Sequence, residues 1–293
     1  MRVAVTGASG YIGRALTPAL RAAGHEPVPL GRSSAPGVFM NREDDSTGTL
    51  GEHIAGADRV IHLAGQLVTD PAANVDAYYQ ANVQFTETVM EAAHAAGVAG
   101  VVHASTRLVY PKTLSKPAVE MRDASPDTAY GLSKLWAENV TRFHANRAGM
   151  DSISLRIGQV TGGEHPGLGV INAFIRQARE RNRVTINGRG VAVRDFVHVD
   201  DVAAACVAAL DHSGNWTAVN IGGSRAMTIA EIARTVADAC PGDVTLEHEP
   251  ATDEDMSCYA LDPQHARSTL RWAPTWTPQD MIIEAFEKGH GQK

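Results

Sequence analysis

The feature that most constrains this chain stands at its amino terminus, where the apolar run Arg2 to Thr6 leads straight into Gly7-Ala8-Ser9-Gly10-Tyr11-Ile12-Gly13. Ile12, Leu16, Leu20 and Ala23 then recur at helical spacing until Gly24, so the glycines occupy a strand-to-helix turn. Glycine there permits a tight turn, close backbone approach to a pyrophosphate, and close helix-on-strand packing, with the phosphates at the positive end of the helix. The segment predicts dinucleotide binding, with Gly7, Gly10, Tyr11, Ile12 and Gly13 as candidate contacts; a glycine-rich connection without a ligand is the plainer alternative. Pro18 inside this helix is expected to remove one hydrogen bond and bend it.

Beyond it, strands alternate with helices. His25 to Leu30 forms a strand that ends at Gly31-Arg32-Ser33-Ser34. An acidic residue there would suit the ribose hydroxyls of NAD, whereas Arg32 leans toward the 2′-phosphate of NADP, unless it is simply a solvated loop cation. Asp58 to Ala64 is the next buried strand. One long amphipathic helix is expected from about Asn74 to Ala96, stopped by Gly97. Val98 to Ala104 delivers Ser105 and Thr106 to the carboxyl end of the sheet, where ligands of doubly wound sheets bind; a Ser or Thr there also serves as a plain turn cap. The Pro-, Lys- and Ser-rich stretch from Tyr110 to Thr128 is expected to be a loop near the site mouth.

A helix from Tyr130 to Arg147 follows, then a strand from Ser152 to Ile157. On that helix Tyr130 and Lys134 lie one turn apart and point into the same space. A free phenol titrates near pH ~10, and making it useful near neutrality takes about 4 kcal/mol, much of which a fixed cation in a partly dry site can supply. The pair is therefore a candidate proton-transfer device, although the same spacing also occurs on solvated helix faces.

The 293 residues suit a large α/β unit plus a smaller second domain, and a net charge of −7 with mixed signs gives no nucleic-acid footprint. Three well-separated cysteines, Cys206, Cys240 and Cys258, suggest reduced thiols and no metal cluster. With the first strand beginning at Val3 and no apolar run of bilayer length, a cytoplasmic protein without a signal peptide or membrane partner is expected.

The glycine turn, the later Ser105-Thr106-Arg107-Leu108-Val109-Tyr110 and Tyr130-x-x-x-Lys134, in this order, resemble the extended short-chain dehydrogenase/reductase family, and within it the NAD-dependent epimerase/dehydratase branch acting mainly on nucleotide sugars. The resemblance implies a Rossmann-type doubly wound parallel sheet in residues 1–162 and a smaller α/β substrate domain in residues 163–293, with about 197–222 packing back on the first. It makes Tyr130 the acid/base, has Lys134 hold the nicotinamide ribose and lower the phenol pKa, and has Thr106 orient the reacting oxygen. Leu63 and Ala64 join the cofactor site, and Asn82 of Asn-Val-x-x-Thr takes a supporting role. NAD or NADP is the implied cofactor, a nucleotide sugar the implied substrate, and a homodimer through the helices around 74–96 and 130–147 the implied assembly. Dehydratases of the family carry Asp-Glu directly after the threonine; Arg107 and Leu108 stand here, which argues against dehydration.

In the second half, Leu155 to Gly162 resembles the stretch leading into the substrate domain, with Gln159 in place of the usual asparagine and available to a substrate or to the loop itself. The pattern Val170, Ile171, Phe174, Ile175 and Ala178 marks a helix, and Asn187-Gly188-Arg189-Gly190 reads as a hairpin turn between Val184–Ile186 and Val191–Val193. Arg194 of Arg-Asp-Phe-Val-His-Val matches the family's diphosphate-contacting arginine, while His198 reads as a hydrogen-bonded structural histidine. Asp200 or Asp201 is expected to cap the apolar helix Val202 to Leu210, and Thr228 with Glu231 to form a capping box. The acids of Pro250 to Asp255 stand where nucleotide-sugar enzymes often place another phosphate-binding arginine. The leading expectation is hydride transfer on a nucleotide-linked hexose, by a 4-epimerase or 4-ketoreductase. A carbonyl reductase on a small non-nucleotide substrate is the alternative, and a dinucleotide-binding protein without turnover the third reading.

Overall fold

The structure, a computed structural model, describes residues 1–31, 47–67, 74–120, 122–164 and 169–288. The first half runs β1 (Arg2–Thr6), α1 (Tyr11–Ala22), β2 (Glu26–Leu30), α2 (Thr47–Ile54), β3 (Arg59–His62), α3 (Val75–Tyr78), α4 (Phe85–Ala95), β4 (Gly100–Thr106), α5 (Ala129–Ala148) and β5 (Asp151–Ile157). The second runs β6 (Gln159–Thr161), α6 (Val170–Arg181), β7 (Arg183–Asn187), β8 (Val193–Arg194), β9 (Phe196–His198), α7 (Val199–Ala208), β10 (Thr217–Ile221), β11 (Met227–Thr228), α8 (Ile229–Ala239), β12 (Thr245–Glu249), α9 (Gln264–Leu270) and α10 (Pro278–Lys288).

Six parallel strands order as β2-β1-β3-β4-β5-β10, so the chain leaves the sheet after β5 and returns with α7 and β10. β4 is buried along its whole length, as a strand covered on both faces must be. On one face Leu16 and Leu20 of α1 meet Val202 and Cys206 of α7; on the other, Leu50 of α2 meets Val89 and Ala93 of α4. A separate core unites Phe174, Ile186, Ile232 and Ile282 from α6, β7, α8 and α10. This is the expected Rossmann-type sheet. Strand order reverses between β1 and β3, where the crevice of such a sheet opens.

Three expectations need correction. The helix over 74–96 is broken: between α3 and α4, residues Tyr79–Gln84 form a π-helical turn. That turn buries Asn82, whose side chain accepts from Gln66 N at 2.7 Å and donates to Ser133 Oγ at 2.9 Å. The Asn187 to Gly190 turn closes no hairpin, because β7 pairs with β12 in parallel and β8 with β11. Gly188 N donates to Glu249 O at 2.7 Å and Arg189 N to the Glu254 carboxylate at 2.8 Å, so tertiary partners take the groups a hairpin would need. The cap of α7 is His198, accepting from Asp200 N at 3.1 Å. Asp201 is buried instead, where it accepts from Thr275 N, Thr275 Oγ1 and Trp276 N and ties down the approach to α10.

The readings of Thr228, Glu231 and His198 agree. Thr228 and Glu231 form the capping box of α8. His198 is fully buried, stacked 3.8 Å from the Trp276 ring and 3.0 Å from Glu284. All three cysteines are unpaired thiols, and Pro18 sits within α1. Among the described residues no helix is long and apolar enough to cross a membrane, and no cluster of His, Cys, Asp and Glu could hold a metal. Within the expected loop from Tyr110 to Thr128, Ala118 bridges to Leu261 and Glu120 is buried.

Candidate active site

A cavity of about 600 Å³ opens between the ends of β1 and β3. Gly7, Gly10, Tyr11, Ile12 and Gly13 line one side and Leu63, Ala64, Gly65 and Gln66 the other, with Gln159 and Val160 of β6 at its edge. Gly7 has φ +73°, and a Cβ on it would come 2.8 Å from Ala64 N; a Cβ on Gly13 would overlap the Gly7 carbonyl. Only glycine lets α1 approach the turn this closely. Gly10 is the N-cap of α1 and brings no side chain to that helix end. The positive end of α1 therefore meets the cavity through backbone N–H groups, which suits a pyrophosphate. The cradle and the cavity fit a dinucleotide. Tyr11 also donates its hydroxyl to Gly162 O at 2.5 Å, tying the turn to the start of the second half. Arg32 lies outside the described residues.

None of the three expected chemical groups is in the cavity lining; Lys134 stands against Gly65 of its wall. Thr106 ends β4, 8% exposed; its hydroxyl accepts from Leu108 N at 3.3 Å and stands close enough to the Tyr130 phenol to act on its pKa. Thr128 caps α5 by accepting from Gly131 N at 3.0 Å, which sets Tyr130 in the first turn of that helix. Tyr78 meets the Tyr130 ring edge-on at 5.8 Å. A Cβ on Gly131 would overlap Leu108 O, so this glycine lets α5 close on the Thr106 turn. Lys134, one turn along, is 5% exposed, and its Nζ lies 4.0 Å from where a Cβ on Gly65 would stand.

The electrostatics differ from the sequence argument. Burial pushes the Tyr130 phenol up to about 12, opposed by the Thr106 hydrogen bond and reinforced by Tyr78; Lys134 is not among the groups acting on it. The ammonium instead meets His103 Nε2 at 3.3 Å. Burial brings Lys134 itself down to about 8, with Glu138 pulling the other way. Burial, then Lys134 and His62, hold the His103 imidazole well below its usual value. A neutral His103 that accepts from Lys134 at Nε2 must carry its proton on Nδ1, which then donates to Ser154 Oγ at 3.3 Å. Sequence reasoning missed His103; its place on β4, three residues before Thr106, was the available signal.

Behind Thr106, Ser105 Oγ donates to Glu138 at 2.5 Å, and Glu138 pairs with Arg156 at 2.7 Å with both side chains buried. Arg194 lies apart from the cavity lining. It pairs with Asp255 at 2.8 Å, donates to Ser257 Oγ at 2.9 Å, and its guanidinium lies 4.9 Å from the centre of the Tyr259 ring. Glu254 likewise pairs with Arg189 at 3.3 Å. The structure thus sets Tyr130 close to Thr106 and Lys134 against Gly65 in the wall of a cavity lined by the glycine turn, Leu63, Ala64 and Gln159, and leaves Arg194 outside that lining, against Tyr259.

Comparison with known proteins agrees with this geometry. The profile of the NAD dependent epimerase/dehydratase family matches residues 3–222. The chain is 32% identical to a dTDP-6-deoxy-L-talose 4-dehydrogenase (NAD(P)(+)) of Kitasatospora kifunensis, over 97% of this chain and 94% of that one. It is 30% identical to a UDP-glucose 4-epimerase of Mycolicibacterium smegmatis, over 98% of each. Among solved structures, MoeE5 in complex with UDP-glucuronic acid and NAD superposes with a TM-score of 0.83 at 27% identity, over 99% of this chain and 100% of that one. The chain belongs to the NAD-dependent epimerase/dehydratase family, the nucleotide-sugar branch of the extended short-chain dehydrogenases/reductases.

Proposed function

We propose that this protein moves a hydride at a secondary alcohol or ketone of a nucleotide-linked hexose, as a 4-epimerase or 4-ketoreductase. The observation that carries the reading is that Tyr130, set in the first turn of α5, stands close to Thr106 at the carboxyl end of β4, with Lys134 one helical turn along and against Gly65 of the dinucleotide cavity. NAD(P), when bound, supplies and accepts the hydride. Gly7, Gly10, Tyr11, Ile12 and Gly13 would hold its pyrophosphate at the start of α1, and Leu63 and Ala64 would flank it. Tyr130, neutral in its resting state, gives its proton to the substrate oxygen on reduction and is left as the phenolate; in the oxidation direction that phenolate takes the proton back from the alcohol. Thr106 holds that phenol in place and orients the reacting oxygen. The 4-dehydrogenase and 4-epimerase relatives support reaction at C4. With Arg107 and Leu108 following Thr106, no acid-base pair for eliminating water stands there.

Arg194 is the candidate for the diphosphate, and Gln159, in the cavity wall, for a polar group of the bound ligands. Asp255 and Glu254 each face an arginine, so they do not stand as bare carboxylates against a diphosphate, which favours a nucleotide sugar over a small carbonyl substrate. Residues 1–162 are assigned to the cofactor and 163–293 to the substrate. Leu132, Trp136 and Phe143 present an exposed apolar face on α5, consistent with a homodimer that light scattering would detect as twice the 31.1 kDa mass. The deciding experiment incubates the protein with NADPH and a 4-keto sugar nucleotide, and separately with UDP-glucose without added cofactor. Oxidation of NADPH supports the reductase, interconversion of UDP-glucose and UDP-galactose the epimerase, and neither reaction rejects hydride transfer at C4 of these substrates.

A further inference from the structure

Immediately after Thr106 the chain enters a 3-10 turn, Arg107–Val109. Arg107 leaves the sheet there and crosses to the second half, where its guanidinium lies over Tyr259, 3.6 Å from the ring centre. Its Nη1 is buried and has no hydrogen-bond partner among the described residues. The same ring carries Arg194 at 4.9 Å, so two guanidiniums share one aromatic surface. Burial lowers the Arg107 pKa to about 10; Tyr259 opposes that shift and Arg194 adds to it.

The carboxylates nearby are committed elsewhere. Asp255 pairs with Arg194. Asp195, which attracts Arg107, gives one oxygen to Gly223 N at 2.6 Å and the other to Leu261 N at 3.0 Å. Arg107 is thus a half-buried cation with a fully buried open donor, Nη1, and no carboxylate bonded to it, one residue from the threonine that stands close to the Tyr130 phenol. An unsatisfied buried N–H on a charged group is costly, and its planar fork matches a carboxylate with two parallel hydrogen bonds.

We infer that Arg107, backed by Tyr259 and flanked by Arg194, is an anion subsite for an acidic substituent on the hexose, so that the preferred substrate carries a carboxylate on its sugar. Adjacency to Thr106 places this cation toward the reacting end of the substrate, while Arg194, the diphosphate candidate, lies against the same ring. The inference rests on the nucleotide-sugar reading and deepens it.

The test compares kcat/KM for UDP-glucuronic acid and UDP-glucose in the wild type, Arg107→Gln and Arg107→Lys, and measures UDP affinity by calorimetry. The wild type is expected to favour the acidic sugar by at least about 10-fold, and Arg107→Gln to lose about 10- to 100-fold on that sugar alone, as removal of a charge-assisted pair implies. Arg107→Lys keeps the charge without the fork and should fall between, with UDP affinity unchanged throughout. Wild-type preference for the neutral sugar overturns the subsite, and so does an Arg107→Gln loss shared by both sugars and UDP, which would assign Arg107 to the diphosphate. Should Arg107→Gln not fold, the wild-type ratio and Arg107→Lys decide. If the wild type binds neither UDP nor dTDP, the nucleotide reading fails on its own; the ratio is then read with free glucuronate against glucose, where equal rates or none overturn the subsite.

Discussion

Replacing Glu138 with glutamine tests the polar core that supports the site. The Arg156 and Glu138 side chains are 3% and 1% exposed. Arg156 Nε and Nη2 reach the carboxylate at 3.0 and 2.7 Å, while Nη1 donates to the Tyr110 hydroxyl and to Glu120 O, both at 2.9 Å. Tyr110 in turn donates to Asn220 on β10 at 2.6 Å. The pair holds the Arg156 guanidinium firmly charged, so the variant leaves an uncompensated buried cation. Breaking such a pair costs about 3–5 kcal/mol. At roughly 2–4 °C per kcal/mol for a chain of this size, the Tm should fall by roughly 6–20 °C. Because Ser105 also donates to Glu138, the end of β4 loosens with it and kcat should fall at temperatures where the variant is still folded. Thermal unfolding of Glu138→Gln, Arg156→Met and the double variant measures the effect. The double variant should recover part of the loss, since it removes both charges. A single variant within about 1 kcal/mol of the wild type, or a double variant worse than the sum of the singles, would refute the reasoning.

Tyr130→Phe removes the proton carrier while keeping the ring against Tyr78, so kcat should drop by about 10²- to 10⁴-fold with the Tm little changed; an unchanged kcat would sink the proposed chemistry. Gly13→Ala drives a Cβ into the Gly7 carbonyl, and NAD(P) affinity read by fluorescence should fall by at least about 10-fold. Lys134 binds its proton up to 10.5 when unfolded but only to about 8 when folded, so the folded state carries a penalty of about 3 kcal/mol below pH 8 that disappears as pH rises toward 10.5. Lys134→Met should therefore unfold at a higher temperature than the wild type at pH 7, with the gap narrowing from pH 8 to 10, and should lose activity; a gap that widens with pH would contradict the assignment.

What the sequence disclosed were features that local rules encode. The glycine turn, the one-turn spacing of Tyr130 and Lys134, and the Thr228–Glu231 box each follow from residues within one or two turns of each other and each is present in the structure, although Lys134 does not lower the Tyr130 phenol as the spacing argued. Strand existence in the first half followed from β-branched runs between glycines. The losses came where a distant partner outbid a local preference. Asn187-Gly188 signals a hairpin, yet Glu249 and Glu254 take its donors. Asp200 and Asp201 are better caps than histidine by preference, yet Thr275 and Trp276 claim Asp201 and leave the cap to His198. A helical pattern conceals a π-helical turn because one inserted residue changes the facing of Asn82 without changing composition. The contacts of Lys134 with His103 and of Arg107 with Tyr259 bring together residues on different elements, and no periodicity announces them.

The His103 contact bears on how the Lys134 charge is held toward the cavity. An ammonium buried to 5% exposure needs something to hold it, and a carboxylate would do so most strongly. It would also cancel the field that Lys134 projects toward the cavity and raise its pKa. A neutral imidazole fixes the ammonium in direction while leaving its charge intact. The imidazole stays neutral because burial and Lys134 disfavour a second charge, and its Nδ1–H donates to Ser154 Oγ; its stacked neighbour His62, down at about 3 and bonded to Thr6 and Thr86, adds no charge. Glu138, the acid that does act on Lys134, is already paired with Arg156. The charge left facing Gly65 and the cavity is then that of a lysine oriented but not neutralised, in a medium where a single cation acts over several ångströms. Such a cation lowers the energy of negative charge appearing on a nearby oxygen during hydride transfer, and it does so without a stable phenolate at rest, which accords with a Tyr130 that remains protonated up to about 12.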